Sequence, residues 1–238
     1  MDDREAFHIN RFPTPARPLL GVTILVVEDS RFACEAMRLL CVRSGARIRR
    51  ADSILAAERH LQVYRPTVLI VDLGLPDGNG TQLIQAAHQT SPRIPVILGT
   101  SGDEMAHEAC RHAGADGFLP KPTHSLSQFQ ELILSKLPED QRPMGPRIIN
   151  DELVSPDTLA YRDDLAHAAE LLCDGSDDKM LDYVAQFVTG IARSASDGPL
   201  TTAGEALTIA RMQGRSCRSD VARLAGLVQE RLSGAVAV

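Results

Sequence analysis

The chain has 238 residues, enough for one or two domains at ~150 residues each and for a core that needs no disulfide or metal staple. Its 25 Lys and Arg against 31 Asp and Glu give a formal charge of −6, which argues against broad binding to nucleic acid or anionic membrane. With no Trp, three Tyr and six Phe, a base-stacking platform is not expected either.

Residues 1–21 read as a flexible tail, because Pro13, Pro15 and Pro18 block helix and nothing there is periodic. Its Asp2, Asp3 and Glu5 are unlike a signal peptide. From Thr23 a regular alternation begins. Ile24 to Val27 suits a strand buried on both faces, and Ala33, Ala36, Met37, Leu40 and Cys41 follow at helical spacing until Gly45. Arg47 to Ala51 is a weak strand. Ile54, Ala57, Leu61 and Tyr64 mark a helix that Pro66 stops, and Thr67 to Val71 is the strongest strand signal. Leu83, Ile84 and Ala87 predict the next helix, Val96 to Leu98 a strand, Ala106 to Ala113 a helix, Phe118 and Leu119 a short strand, and Phe129 to Leu137 a last helix. Five strands alternating with five helices imply a doubly wound, five-stranded parallel sheet with helices on both faces.

Four prolines between Pro138 and Pro156 mark 139–156 as a linker. Beyond it the pattern is purely helical, with Ser155-Pro156 as a helix start. Leu165/Ala168/Leu172, Leu181/Val184/Val188/Ile191, Ala203/Ala206/Leu207/Ala210 and Val221/Leu224/Val228/Leu232 form four stripes. A small all-α bundle over 157–238 is expected. The five cysteines include no C-x-x-C pair, which argues against a zinc site or a disulfide framework and for reduced thiols. No apolar run reaches the ~18 residues of a membrane span, so a cytoplasmic protein without membrane partners is expected.

In doubly wound sheets, ligands bind at the carboxyl ends of the strands. Glu28 and Asp29 follow the first strand here, Asp72 the third, Thr100 and Ser101 the fourth, Lys121 and Pro122 the fifth. Clustered carboxylates repel one another and attract a hard divalent cation, for which Mg²⁺ with oxygen ligands fits best. The cation would neutralise charge on an incoming phosphoryl group, and a carboxylate can act as nucleophile toward it.

These residues carry a resemblance. Thr23–Ser30 (TILVVEDS), Val71–Gly80 (VDLGLPDGNG), Pro95–Ser101 (PVILGTS) and Gly114–Pro122 (GADGFLPKP) are similar, in this order, to the receiver domain of two-component response regulators, over residues 22–138. The resemblance implies a flavodoxin-like fold and a signalling switch that catalyses only its own phosphoryl transfer and dephosphorylation. It implies Asp72 as the phosphoacceptor, and Mg²⁺ held by Asp29, Asp72 and the backbone carbonyl of Gly74, with Glu28 acting through water. Thr100 would bond the phosphoryl group, Lys121 would pair with it, and Phe118 would be the switch aromatic. Pro122 would follow a cis bond. A histidine kinase or phosphotransfer protein would be the donor. Gly74 and Gly102 stand two residues beyond Asp72 and Thr100, where larger side chains are common, so water should reach the phosphoryl group freely and its lifetime should be ordinary. Gly99 should loosen the switch.

The C-terminal half is less informative. The reading preferred from its Ala-rich stripes is a module for homodimerisation or a downstream protein partner. A phosphotransfer-like bundle is an alternative, but Glu170 and Leu171 follow its one histidine, His167, where that family places Lys and Gly. DNA binding is another, because Leu200–Ser216 loosely resembles the opening of a helix-turn-helix and Arg211, Arg215, Arg218 and Arg223 add positive charge. Too little chain follows Leu224 for a recognition helix and its support. The acids Asp174, Asp177 and Asp178 read as residues flanking a helix start.

Overall fold

The structure, a computed structural model, describes residues 13–103, 105–143, 145, 148–173 and 178–234. Five parallel strands form the sheet: β1 Thr23–Val27, β2 Arg47–Ala51, β3 Val68–Asp72, β4 Val96–Ser101 and β5 Gly117–Pro120, in the order β2-β1-β3-β4-β5. The helices between them are α1 Arg31–Ser44, α2 Ile54–Val63, α3 Gly80–Gln89, α4 Ala106–His112 and α5 Leu126–Lys136.

The alternation of strand side chains explains the apolar runs. Ile24, Val26, Val68, Ile70, Val96 and Leu98 pack on the α1/α5 side. Leu25, Val27, Leu69, Val71 and Ile97 pack on the other, against α2, α3 and α4. Each such side chain stabilises the fold by roughly 1.5–3 kcal/mol relative to exposure. The edge strand β2 is Arg-rich because only one neighbour covers it, and charge there discourages pairing with another chain. Helix starts follow local chemistry. Ser30, Ser53, Asn79 and Ser125 each accept a backbone N–H at an N-cap. Asp77 adds a long-range cap, accepting from Ile54 and Leu55 at the start of α2.

Two segments are more ordered than their composition suggested. In the stretch read as a flexible tail, Leu19 is fully buried and its N–H is bonded to the Ser44 carbonyl, because an apolar side chain there fills the open end of the α1 core. The linker straps the domain: Ile148 N–H donates to Pro15, Leu126 N–H to Glu152, and Val154 N–H to His124, while Val154 is buried and Glu152 pairs with Arg43.

Four helices follow: α6 Thr158–Cys173, α7 Asp178–Ser194, α8 Gly198–Met212 and α9 Arg218–Gly234. Each packs on the next and α6 closes on α9, around Leu165, Val184, Val188, Leu207, Leu224 and Val228. The Ser155 start moves to Asp157, whose carboxylate accepts from Leu159 N–H, because α6 begins only at Thr158. Asp174 and Asp177 lie outside the described residues, while Asp178 starts α7 and pairs with Arg211. Among the described residues no helix is long and apolar enough to cross a membrane. Cys34, Cys41 and Cys110 are buried thiols, Cys173 is exposed, and Cys217 is half-buried.

Candidate functional site

The parallel sheet delivers Glu28, Asp29 and Asp72 to one place, because β1 and β3 are neighbours in register through Val27 and Val71. Carboxylate oxygens of the three lie within 4.8 Å of one another. Glu28 and Asp72 are almost wholly buried. Lys121, just past β5, lies with Nζ 2.6 Å from Glu28 Oε2 and donates to Asp72 Oδ2 at 3.0 Å. Three carboxylates against one ammonium leave the pocket formally negative, as a divalent cation requires. Burial, then repulsion by Asp72, raises the Asp29 carboxyl to about 6, opposed by a hydrogen bond from Tyr183. Burial also raises Glu28 well above the ordinary range, despite Lys121. For Lys121, burial works against the charge, but Asp72 and Glu28 outweigh it and hold the ammonium protonated. The all-oxygen donor set and unbalanced negative charge fit Mg²⁺.

The loop after Asp72 turns back as a short hairpin, Gly74–Leu75 against Gly78–Asn79, and α3 starts at Gly80 directly beneath it. A Cβ at Gly80 would collide with the Asp72 carbonyl, so glycine lets the helix approach the strand end. Thr100 is fully buried, with its hydroxyl donating to the Leu119 carbonyl at 2.7 Å. Phe118 is half-buried, 5.5 Å from the His107 ring. The Lys121–Pro122 bond is cis.

The glycines near the pocket have neighbours that the sequence does not reveal. A Cβ at Gly99 would collide with Cys110 Sγ, so its bareness is what lets α4 seat on the sheet. Gly74 and Gly102 do not leave the pocket open. A Cβ at Gly74 would collide with the Gln186 amide, and one at Gly102 would touch the Arg193 guanidinium at 3.4 Å. Both side chains come from α7, so the bundle fills the room the glycines vacate.

The bundle makes further contacts here. Asp164, 2% exposed, accepts from Ser30 Oγ at 2.7 Å and from the N–H groups of Arg31 and Phe32 at 2.9 and 3.0 Å. It supplies an anion to the positive end of α1. Tyr183 donates to Asp29 Oδ2 at 2.5 Å, and Arg193 donates to the Gly102 carbonyl. The Tyr161 ring lies 5.5 Å from that of Phe32. None of these four bundle residues was singled out from sequence. Tyr183, Gln186 and Arg193 share one helical face, which periodicity reveals only as a polar side of α7. Exposed His167 instead sets its ring edge-on to Phe187.

The parallel five-stranded sheet carries an acidic pocket and a lysine at the carboxyl ends of its strands. Residues 24–133 match the model of the response regulator receiver domain, and this part of the chain belongs to that family. Relatives include the KDP operon transcriptional regulatory protein KdpE of Escherichia coli K12, 31% identical over 99 residues, which span 42% of this chain and 44% of KdpE. The transcriptional regulatory protein PhoP of the same organism is 27% identical over 153 residues, spanning 58% of this chain and 69% of PhoP. Among solved structures, the chemotaxis response regulator CheY4 of Vibrio cholerae aligns with a TM-score of 0.40 at 23% identity, over 48% of this chain and 93% of that one.

Proposed function

We propose that this protein is a two-component response regulator that accepts a phosphoryl group on Asp72 from a histidine kinase or phosphotransfer protein. The supporting observation is the buried set of Glu28, Asp29 and Asp72 with Lys121 bridging two of them. An Asp72 carboxylate oxygen forms the new bond to phosphorus as the bond from phosphorus to the donor nitrogen breaks. Asp29, Asp72 and the Gly74 carbonyl would hold Mg²⁺, with Glu28 reaching it through water; the cation offsets charge on the transferring group. Lys121 turns from Asp72 toward a phosphoryl oxygen. Thr100 exchanges the Leu119 carbonyl for another, and Phe118 moves into the space this leaves.

The output is the helical bundle, acting through a protein contact or a second copy. Transcription control is a second reading, because KdpE and PhoP are named as transcriptional regulators. Against it, Arg211 is held by Asp178 and Asp182. Salt-dependent duplex binding that strengthens on phosphorylation would favour that reading.

Beryllium fluoride, a phosphoryl mimic, tests the acceptor role. Fluorine NMR is expected to show a bound signal that needs Mg²⁺ and disappears in Asp72→Asn. A signal indifferent to Mg²⁺, or surviving in Asp72→Asn, would remove Asp72 from this role.

A further inference from the structure

The bundle face that meets the receiver domain is built for the pocket it covers. Tyr183, Gln186, Gly190 and Arg193 follow one another at helical spacing along one face of α7. The first holds Asp29, the second lies against Gly74, and the fourth holds the Gly102 carbonyl. Gly190 lies among them, and a Cβ there would meet nothing within 4 Å. Asp164 fastens the neighbouring helix to the start of α1, two residues from Asp29. With this face seated, Asp72 is only 6% exposed.

We infer that α7 is a removable roof over the phosphorylation pocket, and that Tyr183 is the positioning residue through which cation and phosphoryl loading lift it. This rests on the phosphoacceptor reading of Asp72. Seating and loading compete for the same groups. The Tyr183 hydroxyl and the cation both use Asp29. Gln186 crowds the segment whose Gly74 carbonyl would be a ligand. A phosphoryl group on Asp72 adds bulk and charge under the same helix, and a protein donor has to bring its own side chain through the opening that α7 fills. Coupling is reciprocal: loading weakens seating by the factor by which seating weakens loading, so a change that loosens the roof strengthens loading. The strap keeps the lifted bundle close: Val154 is bonded to His124, three residues beyond Lys121, so a shift of Lys121 reaches the connection directly. Once α7 lifts, Gly74 and Gly102 leave water unhindered access, and loading is short-lived.

The test uses the full chain with Mg²⁺ and beryllium fluoride. Amide exchange by NMR reads Arg31 and Phe32, whose N–H groups lose Asp164 when the bundle leaves; titration gives the apparent affinity of wild type, Tyr183→Phe and Arg193→Ala. Loading is expected to speed exchange at both amides, and each variant to bind the mimic more tightly, on the order of tenfold. Binding in wild type with unchanged exchange at Arg31 and Phe32 would overturn the roof, as would variants that bind equally or more weakly. Binding by neither wild type nor variants would instead overturn the phosphoacceptor reading, and the roof with it.

Discussion

Lys121 is the residue on which the apo pocket depends. Its ammonium bridges Glu28 and Asp72, and removing it leaves two buried carboxylates facing each other. Lys121→Ala is expected to lower stability by about 3 kcal/mol in urea unfolding without divalent cations, with part of the loss restored by Mg²⁺. Equal stability in the variant would mean that the carboxylates are neutralised some other way. Gly99 makes a second case. Gly99→Ala is expected to cost about 1–3 kcal/mol through collision with Cys110, and Cys110→Ala in the same chain to recover much of it. Additive losses in thermal unfolding would refute that contact. At this scale the acidic set was legible because each member ends a strand, so sequence order alone placed it. Tyr183 and Asp164 were not legible: nothing near either residue says which surface its helix will meet.

Among elements, the bundle is pinned by Asp197. Its carboxylate caps α8 at Leu200 N–H, takes two hydrogen bonds from Arg231 on α9, and accepts the Tyr161 hydroxyl of α6. Asp197→Ala is expected to destabilise the bundle by about 2 kcal/mol. Hydrogen bonds from Arg231 hold this carboxyl below its usual range, against a smaller burial effect. Its contribution is therefore complete at neutral pH and lost as acidification passes through that lowered value. Urea unfolding of wild type and variant as a function of pH checks both points: the difference between them should shrink in acid. Strands and helices of the sheet were read nearly in place because buried parallel strands are unbroken apolar runs between capped amphipathic helices. The strap and the segment around Leu19 were missed, since a few apolar residues among prolines carry no period and gain their structure from the surface they cover.

For the molecule as a whole, the receiver domain and the bundle meet at the acidic pocket. On the proposed reading, a charge arriving at Asp72 would act on the neighbourhood of Asp29, Gly74 and Gly102, where Tyr183, Gln186 and Arg193 of the bundle rest. No stripe or motif in either half foretold this meeting, because docking depends on surface complementarity between segments far apart in the chain, 91 residues for Arg193 and Gly102 and 154 for Tyr183 and Asp29. The most direct test of the central claim is labelling of the full chain by a small acyl phosphate, read by intact mass and peptide mapping. One phosphoryl group should appear on Asp72, only with Mg²⁺, and not in Asp72→Asn. Label that forms without Mg²⁺, maps elsewhere, or persists in Asp72→Asn would contradict it.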